Sequence, residues 1–117
     1  MNISVSELIV RYLERLGIDH IFGMPGAHVL PIYDRLHDSG VKSVLVKHEQ
    51  GAAFMAGGYA RVSLRPAACI ATAGPGATNL ITGIANAYAE RLPVLSITGE
   101  TPTYQFGRGG LQESSGE

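Results

Sequence analysis

A carboxylate placed where a strand passes into a helix can hold or move a proton at a ligand, and Glu49 has that setting. Val44-Leu45-Val46 reads as the end of a buried strand, with Lys47, His48 and Glu49 at its carboxyl tip. Gln50-Gly51-Ala52-Ala53 then opens a helix of small residues. In open α/β sheets, ligands sit outside the carboxyl ends of the strands. Aligned peptide dipoles also favour an acid in the first turn of a helix, so Glu49 has a purely structural explanation as well. His48 beside Glu49 lacks the second histidine of H-E-x-x-H, and His20, His28 and His37 keep no ligand spacing with it. The residue pattern therefore offers no metal site. His28 reads as a partly exposed polar residue at a helix start, on a corner that could face a ligand.

The second candidate is Gly74-Pro75-Gly76-Ala77-Thr78-Asn79. Free N–H groups at a helix start attract anions. The P-loop Lys-Ser/Thr is missing, however, and no G-x-G-x-x-G follows a strand. Spacing alone favours a tight strand-to-helix turn with Thr78 or Asn79 as the cap.

The elements that must position these groups follow from periodicity. Ser4 and Glu7 form a capping-box pattern. Val5, Leu8, Ile9, Tyr12, Leu13 and Leu16 then recur at helical spacing until Gly17. Ile18 to Phe22 is a short strand ending in Gly23-Met24-Pro25-Gly26. A helix follows over about 28–38, with Pro31 tolerable only in its first turn. Strands are expected at 41–46, 67–72 and 93–98, and helices at 50–62 and about 78–90. Four strands alternating with helices give an α/β class, a three-layer α/β/α sandwich on a mainly parallel sheet. The small-residue helix over 50–62 is intrinsically weak, because glycine costs about 1 kcal/mol relative to alanine. Close packing against the sheet or a neighbouring subunit must compensate.

The 117 residues suffice for one domain, and a net charge of −1 with no basic cluster gives no nucleic-acid footprint. No long apolar run suggests a membrane span, and Met1-Asn2-Ile3-Ser4 is not the start of a signal peptide. Cys69 is the single cysteine and reads as a core residue, which makes the cytoplasm the default location. Arg61, Arg65, Arg91 and Arg108 are scattered, as solvated or interface charges. The sequence ends at Gly116-Glu117 in a loop with no closing element, as in a domain truncated at its C-terminus.

Three corners in register resemble the pyrimidine-binding domain of thiamine-diphosphate enzymes, over about residues 4 to 113. They are Gly23-Met24-Pro25-Gly26, Lys47 to Ala53 with Gly57-Gly58-Tyr59-Ala60-Arg61, and Gly74 to Asn79. The likeness is greatest to acetolactate synthase (acetohydroxyacid synthase) and its relatives. It implies that residues 1–117 are an incomplete pyrimidine domain of a carboligase or decarboxylase acting on 2-keto acids. In that family the acid matching Glu49 hydrogen-bonds N1′ of the cofactor's aminopyrimidine. Burial would raise its pKa so that it shares a proton with the ring. Pro25, Gly26, Gly74, Pro75, Gly76 and Asn79 would line the ring. The diphosphate and its Mg²⁺ belong to a separate domain with a Gly-Asp-Gly motif and a downstream Asn, absent from these residues. The resemblance implies a site shared between subunits, hence at least a dimer, and a chain that is inactive alone. FAD is left open.

The chain departs from acetolactate synthases in two places. Gly26 is followed by Ala27 and His28 where a second glycine is usual, and Leu111-Gln112-Glu113 stands where Phe-Gln-Glu is usual. Ala27, His28, Leu111 and Gln112 would face the substrate. Tartronate-semialdehyde-forming carboligases lack the carboxylate, so Glu49 argues against that relative. The rival class is a non-catalytic flavodoxin-like module for a mononucleotide or for dimerisation; a pyrimidine-domain subunit of a two-chain decarboxylase is a further alternative.

Overall fold

The computed structural model describes residues 2–114; the Gly116-Glu117 end lies outside the described residues. The elements run α1 (Val5–Arg15), β1 (His20–Gly23), α2 (Leu30–His37), β2 (Lys42–Leu45) and α3 (Glu49–Ser63). They continue with β3 (Ala67–Ala71), α4 (Pro75–Asn79), α5 (Ile81–Ala89), β4 (Val94–Thr98) and a 3-10 turn (Thr103–Gln105).

Local chemistry sets most of these boundaries. The Ser4 hydroxyl accepts from the Glu7 amide at 3.1 Å, capping α1. The reciprocal half of the capping box does not involve Glu7 in the expected way, because its carboxylate pairs with Arg11 one turn on, at 2.6 Å. Gly17 follows the helix with φ +73°, the left-handed stop expected from the sequence. Pro31 sits in the first turn of α2, where its missing N–H leaves no broken bond.

All strands are parallel, in the order β2-β1-β3-β4. Successive residues of β1 and β3 point to opposite faces. Ile21, Ala68 and Ile70 pack under α1 and α2, and Phe22, Ala67, Cys69 and Ala71 pack under α3 with Leu80. The expected three layers are therefore present. Ala52, Ala53, Ala56 and Ala60 of α3 are fully buried, so the bare helix is held by close approach to the sheet and to α5.

Three expectations are corrected. β2 is not a buried strand but an edge strand, with Leu45 72% exposed and only Val44 half-buried. Its apolar run reflects one covered face and the buried Val46 beyond it. The helix expected over about 78–90 begins instead at Pro75, because Gly74 (φ 59°, ψ −119°) and a proline in the first turn start it. That segment then breaks at Leu80 into α4 and α5. Consequently neither Thr78 nor Asn79 is the cap: the capping residue is Gly74, and no side chain serves.

At the end of the sheet away from the strand tips, one carboxylate ties β1 to α3. Asp19 accepts from the Tyr59 hydroxyl at 2.8 Å and from Arg65 Nη1 at 3.0 Å, and pairs with His20 Nδ1 at 3.0 Å. These partners, His20 first and Tyr59 next, lower its pKa from 3.8 to about 2. A pKa lowered by folding means stability present above the unfolded value and lost as pH falls through the folded one. Unfolding by urea should thus show a loss between about 3.8 and about 2 that Asp19→Asn removes. Equal pH profiles for the two proteins would contradict the tie.

Candidate functional site

The strand order 2-1-3-4 reverses between β1 and β3, the point at which doubly wound sheets open a crevice beyond their carboxyl ends. Three of the sequence-predicted site segments leave a strand at this end. Pro25 to His28 follow β1, Glu49 follows β2, and Gly74 to Asn79 follow β3.

Glu49 lies in the first turn of α3, and the residue before it is the cap: His48 Nδ1 accepts from the Gln50 amide at 3.1 Å. This occupies the His48 ring in structure. Asn79 Nδ2 donates to Glu49 Oε2 at 3.1 Å. The two residues lie thirty positions apart, and the bond orients the carboxylate from the β3 side, with Oε1 making no hydrogen bond among the described residues. Glu49 is half-buried rather than dry. The burial expected for it is thus only partial among the described residues.

The wall beside Glu49 is shaped by missing side chains. A Cβ on Gly76 would stand 2.8 Å from Thr72 Cγ2 and 3.5 Å from Glu49 Oε1, and one on Gly26 would stand 2.5 Å from Thr72 Cβ. Both glycines therefore close against Thr72, the last residue of the strand expected over 67–72. Its only signal was a hydroxyl following the wholly apolar Ala67–Ala71. Pro25, Pro75 and Ala27 are exposed on the rim.

The segment after β4 folds back onto these corners. A Cβ on Gly74 would strike the Gln112 carbonyl oxygen at 2.2 Å, so the two backbones touch. Gln112 holds φ +58°, a left-handed conformation that ordinary residues adopt only when the surroundings impose it. Its side-chain oxygen accepts from Thr72 Oγ1 at 3.4 Å, and His28 Nδ1 lies 3.1 Å from the same hydroxyl. Leu111 stays 69% exposed. Glu113 turns into its own loop, where amides of Gly107 and Gly110 hold its carboxyl below the ordinary range. Of the four residues expected to face substrate, His28 and Gln112 meet through Thr72, whereas Ala27 and Leu111 remain at the surface.

Among the described residues no group of three or more His, Cys, Asp or Glu side chains is arranged to hold a metal. No helix there is long and apolar enough to cross a membrane.

Fold and site together define a doubly wound α/β protein with an oriented carboxylate and two glycine-proline turns at its switch point. The chain belongs to the thiamine pyrophosphate enzymes: the family described as "Thiamine pyrophosphate enzyme, N-terminal TPP binding domain" matches residues 3–116. It is 49% identical over 108 residues to the probable acetolactate synthase large subunit of Methanocaldococcus jannaschii, covering 92% of this chain and 18% of that protein. To the acetolactate synthase isozyme 2 large subunit of Escherichia coli it is 46% identical, covering 92% of this chain and 20% of that protein. To a probable 2-ketoarginine decarboxylase of Pseudomonas aeruginosa it is 45% identical, covering 92% and 19%. The chain thus spans about a fifth of the length of these relatives.

Proposed function

We propose that this chain is the pyrimidine-binding part of a thiamine-diphosphate-dependent carboligase or decarboxylase acting on 2-keto acids, in the manner of acetolactate synthase. The observation that carries the reading is the Glu49 carboxylate, held by Asn79 beside a wall at Gly76 that has no side chain. A planar ring with a basic nitrogen fits such a place: the carboxylate meets the nitrogen, and the glycines let the two turns close tightly on Thr72 beside it. Thiamine diphosphate, when bound, supplies an acidic C2–H and an electron sink for losing carbon dioxide from a 2-keto acid.

The chain's own residues then have distinct tasks. Glu49 holds a proton at the ring nitrogen, and Asn79 fixes the angle from which it does so. Gly26, Gly74 and Gly76, with Pro25 and Pro75, shape the wall. Ala27, His28, Leu111 and Gln112 bound the substrate end. Mg²⁺ and the diphosphate are assigned to a domain outside these residues, and the working enzyme to an assembly of at least two subunits in the cytoplasm. Exposed apolar residues on α3, Phe54, Met55 and Val62, support a partner surface on the outer face of that helix.

The test is consumption of a panel of 2-keto acids by the full-length protein with thiamine diphosphate and Mg²⁺. Cofactor-dependent release of carbon dioxide is expected, with none from the 117-residue chain alone. Failure of the full-length protein to act on any 2-keto acid would overturn the reading; carboligation by the isolated chain would overturn the shared site.

A further inference from the structure

Thr72 gathers three partners on one hydroxyl. It donates to Gln112 Oε1 at 3.4 Å, accepts from the His28 backbone amide at 3.5 Å, and lies 3.1 Å from His28 Nδ1. A hydroxyl has one hydrogen and two lone pairs. With the side-chain amide of Gln112 placed as it is, its carbonyl oxygen can only accept, and the hydroxyl hydrogen is directed there. In that arrangement both contacts from His28 are donations to oxygen, which puts the ring proton on Nδ1.

We propose that Thr72 is a positioning residue that fixes neutral His28 as the Nδ1–H tautomer, leaving Nε2 as the lone-pair acceptor at the substrate end. Which nitrogen of a histidine carries the proton is set by the hydrogen bond the other one makes. Three features hold the relay in place. Gly26 and Gly76 leave no Cβ between their turns and Thr72, Gly99 packs against His28 so closely that a Cβ would stand 2.5 Å from His28 Cβ, and the left-handed Gln112 is pressed on Gly74. The proposed tautomer rests on contacts within this chain alone. Its use, as acceptor for a hydroxyl proton of substrate or product, rests on the thiamine reading above.

Long-range proton–nitrogen NMR of the ¹⁵N-labelled chain, at a pH where His28 is neutral and with no thiamine diphosphate present, reads the tautomer directly. The wild type should show Nδ1 protonated. Thr72→Val, close in shape but lacking the hydroxyl, should move the proton to Nε2, and Thr72→Ser should keep the wild-type pattern. Gln112→Leu frees the hydroxyl hydrogen to turn toward Nδ1 and should also shift the population toward Nε2–H. Amide spectra establish that each variant is folded. An Nε2–H wild type, an unmoved Thr72→Val or Gln112→Leu, or a Thr72→Ser that shifts like Thr72→Val would each overturn the assignment. Because the cofactor is absent, these outcomes are separate from those of the decarboxylation test.

Discussion

On the role proposed for Glu49, its exchange for glutamine in the full-length protein should leave thiamine diphosphate bound but reduce exchange of the C2 proton and turnover by roughly 100- to 10,000-fold, the range for a positioned acid or base. Glutamine keeps the size and the acceptor oxygen for Asn79, which donates to Oε2 at 3.1 Å. What it loses is the ability to share a proton with a ring nitrogen. Steric disruption would weaken cofactor binding and spare the exchange chemistry of whatever remained bound. Loss of proton sharing does the reverse. Cofactor affinity by fluorescence titration and C2–H exchange by NMR therefore separate the two, and full exchange in Glu49→Gln would remove Glu49 from the chemistry. Asn79→Ala is a milder counterpart, since it frees the carboxylate without discharging it.

The second large effect concerns how α3 is held. Gly83→Ala should destabilise the chain even though alanine is favoured over glycine in a helix by about 1 kcal/mol. A Cβ at Gly83 would lie 2.4 Å from Ala53 Cβ and 3.1 Å from the Phe54 amide nitrogen. Neither neighbour is the end of a flexible side chain, so α5 must move away from α3. Overpacking of this kind costs about 1–3 kcal/mol, sometimes more. Gly58→Ala is the control, with nothing within 4 Å of the added carbon, and it should stabilise α3 by about 0.5–1 kcal/mol. Urea denaturation of the three proteins decides. A Gly83→Ala chain as stable as Gly58→Ala would show that the helices are not in the tight contact described.

The alternation of elements was legible because its causes are local. Ser4 caps α1 three residues ahead of Glu7, Gly17 ends it, and the apolar run at 67–71 and the mostly apolar Val94–Thr98 have strand length between turn signals. Each of these depends on neighbours within a few positions. The errors arose where two local signals competed. Val44-Leu45-Val46 looks like a buried strand by composition, but its place at the sheet edge leaves Leu45 uncovered. At the second glycine corner Thr78 and Asn79 are good capping residues, yet the proline and the left-handed Gly74 start the helix before them.

The sequence by itself therefore determined the α/β class, the three corners and the candidate acid, since periodicity, caps and turns are written in adjacent residues. Only the tertiary structure decided that Asn79 is the partner of Glu49 and that Thr72 joins His28 to Gln112. Those pairs are 30, 44 and 40 residues apart. They meet because parallel strands in the order 2-1-3-4 bring distant turns to one end of the sheet, and no pattern within a window of the chain encodes that convergence.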